Sequence, residues 1–293
     1  MRLAPQEPRE IGHATAQEMT QRRGRYVRVA LSVLLAASFF ALAASQSHEL
    51  MLRLDGAAVA LDWHTPSMDL VMHVATRIAG EEALAVLTAV LMAVLFYNNR
   101  RTEGVLLGAA LVVGNLSSAV LKWVYDRPRP PIDFDPPSLG LGWIDELWIG
   151  LAMVAAVALW LTRWRRVGLL IAGLTALILT VDLAGEMIFA DRLDSFPSGH
   201  AVRASAVVVG LVLVSWKTRW RLSASLLGLG FIFLVALSRV YLGVHYPSDV
   251  LAGSAIAASA VLALSLVPRL DPFMLRKTTS GEEPPNQRQF RAT

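Results

Sequence analysis

The chain contains no cysteine, which excludes a disulfide framework, a thiolate nucleophile and any cysteine-ligated metal. Charge is scarce as well. Asp, Glu, Lys and Arg make up 17% of 293 residues while 55% are hydrophobic, and the mean hydropathy is +0.49. So little charge against so much apolar surface excludes an ordinary soluble domain and points to a membrane protein in contact with the lipid bilayer. There is no continuous basic patch either. The 27 Lys and Arg exceed the 23 Asp and Glu to give a net charge of +4, but the basic residues stand in short clusters between apolar runs. That placement reads as membrane topology and not as a nucleic-acid surface. No internal repeat and no separate soluble domain is visible.

What the chain has in abundance is apolar runs of near bilayer length: 29–47, 83–97, 104–121, 147–162, 167–190, 199–216, 222–237 and 250–267. They predict an all-α, polytopic transmembrane helical bundle of about eight spans. Basic residues collect in every second loop, as real spans require. Arg22, Arg23, Arg25 and Arg28 precede the first run, Arg100 and Arg101 follow the second, and Arg163, Arg165 and Arg166 follow the fourth. Lys217, Arg219 and Arg221 follow the sixth, and Arg276 and Lys277 the last. On this pattern both termini are cytoplasmic. Residues 1–28 form a polar N-terminal segment, 29–267 the transmembrane domain, and 268–293 a polar, disordered tail. The stretch 68–78 mixes Leu70, Val71, Val74 and Ile78 with Asp69, His73 and Arg77, which predicts an interfacial amphipathic helix.

Three strings interrupt this apolar pattern at ends of runs on the opposite, non-cytoplasmic face: Lys122 with Arg129-Pro130, then Pro197-Ser198-Gly199-His200, then Ser238-Arg239 with His245 and Asp249. A phosphoryl group carries charge that must be held while one P–O bond breaks, and fixed cations with backbone donors do this. Lys122, Arg129 and Arg239 supply the cations, Arg by two-point contact and Lys as a point charge. Ser198-Gly199-His200 opens the run at 199, where the amides of a helix N-terminus favour an anion. His200 is placed as a general acid. His245 with Asp249 is the arrangement a histidine nucleophile or base needs, the carboxylate fixing the imidazole tautomer. Taken singly, each string has a plainer explanation: a snorkelling helix flank, a serine N-cap, an aspartate cap. Together on one face they point to an enzyme acting on a phosphorylated membrane lipid.

Lys122-x6-Arg129-Pro130, Pro197-Ser198-Gly199-His200 and Ser238-Arg239-x5-His245-x3-Asp249 resemble the three-part signature of the type 2 phosphatidic acid phosphatase (PAP2) superfamily, in order and without a substitution. The resemblance implies a six-helix core and a metal-independent lipid-phosphate phosphatase needing no cofactor. In it His245 attacks phosphorus to form a phosphohistidine, Asp249 orients and charges His245, and His200 protonates the leaving oxygen. Lys122, Arg129 and Arg239, with Ser198 and the Gly199 amide, bind the phosphoryl oxygens. The substrate class implied is a polyprenyl diphosphate, phosphatidic acid or a similar lipid, in a membrane such as the bacterial inner membrane. A phosphotransferase using the same phosphohistidine, or a lipid-phosphate binding or transport protein, would carry the same residues. The stretch 131–195 departs from the six-span pattern and is expected to be an inserted helical hairpin. Asp182 and Glu186 are expected where its second helix leaves the membrane, and Trp143, Trp148, Trp160 and Trp164 in an aromatic belt. His13, His48, His64 and His73 receive no role.

Overall fold

The computed structural model describes residues 8–61, 63–131, 143–161, 165–169, 171–173, 175–176, 180 and 194–273. Nine helices of known extent occur among the described residues: α1 (Pro8–Ser45), α2 (Glu49–Val59), α3 (Pro66–Ile78), α4 (Glu81–Tyr97), α5 (Arg101–Val124), α6 (Trp143–Trp160), α7 (Gly199–Ser215), α8 (Arg221–Tyr241) and α9 (Pro247–Leu264). No strand occurs among those residues. The chain divides into two units. One comprises residues 1–22 and 273–293, whose described part is the start of α1 and Phe273. The other, 23–272, holds the rest of the bundle.

Among the described residues four helical segments are long and apolar enough to cross a membrane: Met19–Ser45, Arg101–Val124, Arg221–Tyr241 and Pro247–Leu264. The pair α3 and α4, bent by 52° at the break between them, makes a fifth if it is one broken span. That is fewer than the expected eight. Leu147–Trp160 and Gly199–Ser215 are apolar but shorter, so their composition matches a span while their length does not. Much of the expected run 167–190, with Asp182, Glu186 and Trp164, lies outside the described residues, as does most of the expected tail.

The ends of these helices follow from local chemistry. Thr65 caps α3, its Oγ1 accepting from Met68 N at 3.4 Å, with Pro66 at the first helical position. Helix α5 stops at Tyr125, which leaves helical geometry ahead of Pro128, Pro130 and Pro131. Between α8 and α9, Gly243 has φ 64°, a backbone that L side chains rarely adopt. This turn lets the N–H groups of Val244 and His245 donate to the Arg239 carbonyl at 3.2 and 3.3 Å.

Helix α7 sits at the centre, packed by α5, α8, α9 and α4. Its residues Ala201, Val202, Ala204 and Ala206 are buried, as expected of a helix enclosed by neighbours. Lipid is as apolar as leucine, so close packing of small residues and interhelical hydrogen bonds hold such bundles together. A Cβ on Gly114 would meet Ala206 Cβ at 2.9 Å, one on Gly228 would meet Val208 Cγ1 at 2.5 Å, and one on Gly253 would meet the Ser198 carbonyl at 2.8 Å. Those glycines bring α5, α8 and α9 against α7. Helix α6 and the helical residues after it pack on each other and on α4 through Ala89, Ala156, Ile171 and Val167. Gly168 is so close to α6 that a Cβ would meet the Ala156 carbonyl at 2.6 Å. Helix α6 and the described residues that follow it therefore lie on the α4 side of the bundle.

The amphipathic helix expected at 68–78 is present as α3, with its polarity reversed. Asp69 and Thr76 are buried, while Leu70 and Val71 are 49% and 48% exposed. The polar residues face α8: Tyr241 Oη donates to Asp69 Oδ1 at 2.6 Å, and Arg239 Nη1 donates to Thr76 Oγ1. The same cluster takes up two of the unassigned histidines. His64 lies 3.5 Å from Asp69 Oδ1 with its ring against Tyr241, and His73 Nδ1 is 2.8 Å from the Asp69 carbonyl. His48 caps α2 through Leu50 N.

Candidate active site

One end of the bundle gathers the last turn of α5, the first turn of α7, the last turn of α8 and the first turn of α9. The three sequence strings meet there and are stitched together by the backbone. Ser195 N–H donates to the Arg127 carbonyl at 2.7 Å, and Ser198 N–H donates to the Asp249 carbonyl at 3.1 Å. Ser195 Oγ donates to the Pro128 carbonyl at 3.2 Å.

Every expected site residue lies at this end. Lys122 is within electrostatic reach of Arg129, Arg239 and Arg203, and Arg239 of Arg129, Arg203 and Arg77. His200 feels Arg239, Arg203, His245 and Lys122. Like charges gathered out of water repel one another unless an anion joins them. Several donor atoms here also lack a partner: the Nε of Arg129, Arg203 and Arg239 and the Oγ of Ser198 are buried without a hydrogen bond. Ser198 occupies the N-cap position of α7, yet its side chain makes no capping bond. The plain N-cap explanation of this serine fails, and its hydroxyl remains available to a ligand.

Two expectations need correction. The amide of Ser198 is bonded to the Asp249 carbonyl, so the anion-binding amides at the start of α7 reduce to those of Gly199 and His200, which have no intrahelical acceptor. Asp249 does not hold the His245 ring alone. His245 Nδ1 lies 2.7 Å from the Ser195 carbonyl and 3.6 Å from Asp249 Oδ2. A carbonyl can only accept, so Nδ1 carries the proton and the neutral ring presents the lone pair of Nε2. His245 is 2% exposed. Burial lowers its pKa to about 4; Asp249 pulls upward, and Arg239 and Lys122 pull down. The ring is neutral at pH 7.

Asp249 is fully buried and held elsewhere. Oδ2 accepts the Tyr246 N–H at 2.8 Å, and Oδ1 accepts Arg127 Nη1 at 2.6 Å. Arg127 also donates to Ser248 Oγ at 2.7 Å and to Asp55 Oδ2 at 2.8 Å, and its guanidinium stacks on the Tyr246 ring at 4.2 Å. Asp55 in α2 accepts the Ser248 N–H at 3.1 Å. The sequence reading missed Asp55, Arg127, Ser195 and Arg203. Arg203 alone had a usable signal: it follows Gly199 by four and His200 by three, so one helix face presents all three. Among the described residues no group of three or more His, Asp or Glu side chains converges on a common point.

These features define a multi-pass integral membrane protein with a cluster of cationic side chains at one end of its helical bundle. The family model of the PAP2 superfamily matches residues 103–271, more than half of the chain, and the chain belongs to that superfamily. It is 49% identical over 59 residues to an undecaprenyl-diphosphatase of Sulfolobus acidocaldarius, covering 20% of this chain and 26% of that protein. It is 36% identical over 78 residues to the bacitracin transport permease protein BcrC of Bacillus licheniformis, covering 26% of this chain and 36% of that protein. These matches span about a quarter to a third of the curated relatives' length. The crystal structure of a transmembrane PAP2-type phosphatidylglycerolphosphate phosphatase from Bacillus subtilis superposes with a TM-score of 0.54 at 22% identity, over 80% of this chain and 94% of that one. The fold is shared.

Proposed function

We propose that the protein is an integral-membrane phosphatase that hydrolyses a lipid phosphate or diphosphate through a phosphohistidine at His245. The observation that carries this reading is the His245 ring itself, neutral, with Nδ1–H donated to the Ser195 carbonyl, beside a cluster of cations. The phosphoryl oxygens are taken by Lys122, Arg129 and Arg239, with Ser198 Oγ and the amides of Gly199 and His200. His245 Nε2 attacks phosphorus, a P–N bond forms, and the P–O bond to the leaving group breaks. His200 protonates the departing oxygen. Water then attacks the phosphohistidine, giving up its proton to His200, and inorganic phosphate leaves. Asp249 stabilises the imidazolium that forms on His245 at its distance of 3.6 Å, and Arg127 and the Tyr246 amide keep Asp249 in place.

No metal is needed in this scheme, because Lys122, Arg129 and Arg239 supply the positive charge that the phosphoryl oxygens require. The substrate's chain stays in the bilayer while its head enters from the non-cytoplasmic side. On this reading both termini are cytoplasmic, as the alternation of basic loops supports, and the hairpin within 131–195 crosses the membrane and returns. The similarity to an undecaprenyl-diphosphatase and to the PAP2 fold favours a lipid substrate, with a polyprenyl diphosphate and phosphatidic acid as the leading forms.

The similarity to a protein named as a transport permease favours one second reading, in which the site binds a lipid phosphate without turnover. One experiment separates them. Purified protein in detergent is given a panel of lipid phosphates with and without EDTA, and inorganic phosphate is measured. Phosphate release that survives EDTA and disappears in His245→Ala supports the phosphatase. Binding without release, unchanged in His245→Ala, supports the second reading. A phosphorylated acceptor in place of free phosphate makes the protein a phosphotransferase.

A further inference from the structure

We propose that Arg203 binds the departing phosphoryl group of a diphosphate substrate and so sets a preference for diphosphate over monophosphate lipids. This rests on the phosphatase reading above. Arg203 lies outside the three strings, yet its guanidinium belongs to the site. It rests against Gly199, where an added Cβ would stand 3.6 Å from Nη1. Its Nη1 is 3.3 Å from Glu81 Oε2, both side chains being 14% exposed, and its Nε is buried without a hydrogen bond. Glu81 begins α4 just beyond the bend after α3. The carboxylate therefore anchors the arginine from the opposite wall while leaving donors of the fork for a ligand.

The position decides what Arg203 does. Arg203 follows His200 by three residues on α7 and so shares its helix face, whereas His245 lies in the turn between α8 and α9. Arg203 thus stands on the side of the acid. When a monoester is cleaved, the group leaving past His200 is an alcohol, which needs a proton and no further charge. When a diphosphate is cleaved, His245 Nε2 bonds to the terminal phosphorus and the bridging P–O bond breaks. The bridging oxygen takes the electron pair and the His200 proton, and the departing group still carries negative phosphoryl oxygens. A guanidinium beside the acid stabilises that group in the transition state and has nothing to hold in the monoester reaction.

The test uses the full chain in detergent, with a polyprenyl diphosphate and the monophosphate of the same chain length as substrates. Arg203→Gln is expected to lower kcat/KM for the diphosphate by roughly 100-fold, mainly through kcat, and for the monophosphate by no more than about 3-fold. Arg203→Lys should recover part of the diphosphate rate, because the charge returns without the fork. Equal losses on both substrates, unchanged rates on both, or a wild-type protein that cleaves only the monophosphate would overturn the proposal. Calorimetric binding of inorganic pyrophosphate and inorganic phosphate gives a second readout that needs no turnover. Arg203→Gln should weaken pyrophosphate at least 10 times more than phosphate, and an equal effect on the two sinks the assignment. Should the wild type release phosphate from neither lipid, the phosphatase reading fails on its own while the pyrophosphate comparison still judges Arg203.

Discussion

Arginines gathered at one end of the bundle, one buried and three half-buried, are treated in opposite ways. Arg127 is matched: it meets Asp55, Asp249 and Ser248 and stacks on Tyr246. Arg129, Arg203 and Arg239 each keep a buried Nε without a partner and stand within reach of one another and of Lys122. A neutralised buried arginine holds structure together, whereas arginines with unbonded donors are suited to an anion. On the proposed function the first positions and the others bind.

The comparison would break most visibly at His245. His245→Ala should remove at least ~10^4-fold of phosphate release while thermal unfolding in detergent changes little, and measurable release in this variant would refute the nucleophile. Arg239→Lys should cost about 100-fold in turnover, with an unaltered unfolding midpoint, because the two-point grip is lost and the charge kept. Arg127→Gln tests the other side of the comparison. It leaves Asp55 and Asp249 buried without their cation, a loss of about 3–5 kcal/mol, so the unfolding midpoint should drop along with activity. A variant that lost activity with unchanged stability would put Arg127 among the binding cations instead.

The pH profile sharpens the picture further. Since burial holds the pKa of His245 at about 4, below its ordinary 6.5, the neutral nucleophile persists as the solution is acidified and is lost only as pH falls toward about 4. The acid limb of kcat/KM, corrected for substrate ionisation, should therefore lie below pH 6.5, and a limb above that value would contradict the buried neutral ring. The smallest effect is expected far from the site. Gly168→Ala places a Cβ 2.6 Å from the Ala156 carbonyl and so pushes residue 168 away from α6, lowering stability while changing kcat by less than about 3-fold.

Much of this site is legible along the chain. Lys122, Arg129, Ser198, His200, Arg239, His245 and Asp249 stand at helix ends in the spacings of a known signature, and even the distance from Arg239 to His245 has a local cause in the Gly243 turn. The partners that complete it were not legible. Ser195 meets His245 through its backbone carbonyl, 50 positions away, and no side-chain pattern records which carbonyl a ring will find. Asp55 meets Arg127 across 72 positions from a segment that read only as a connection between apolar runs. Among the described residues four or five of the eight expected spans are long and apolar enough to cross a membrane, and length and composition alone do not separate a crossing helix from one enclosed by its neighbours. Helix α7, apolar beyond His200 and Arg203, is packed by α5, α8 and α9.

By itself the sequence determined that this chain is a helical membrane protein, which of its ends bear charge, and which residue types could grip and cleave a phosphoryl group. All of these follow from composition and from spacing within single helices or turns. Only the tertiary structure decided which nitrogen of His245 is free, what holds Asp249, and that Arg203 joins the pocket. The physical reason is that each of these rests on a hydrogen bond or an electrostatic contact between segments brought together by packing.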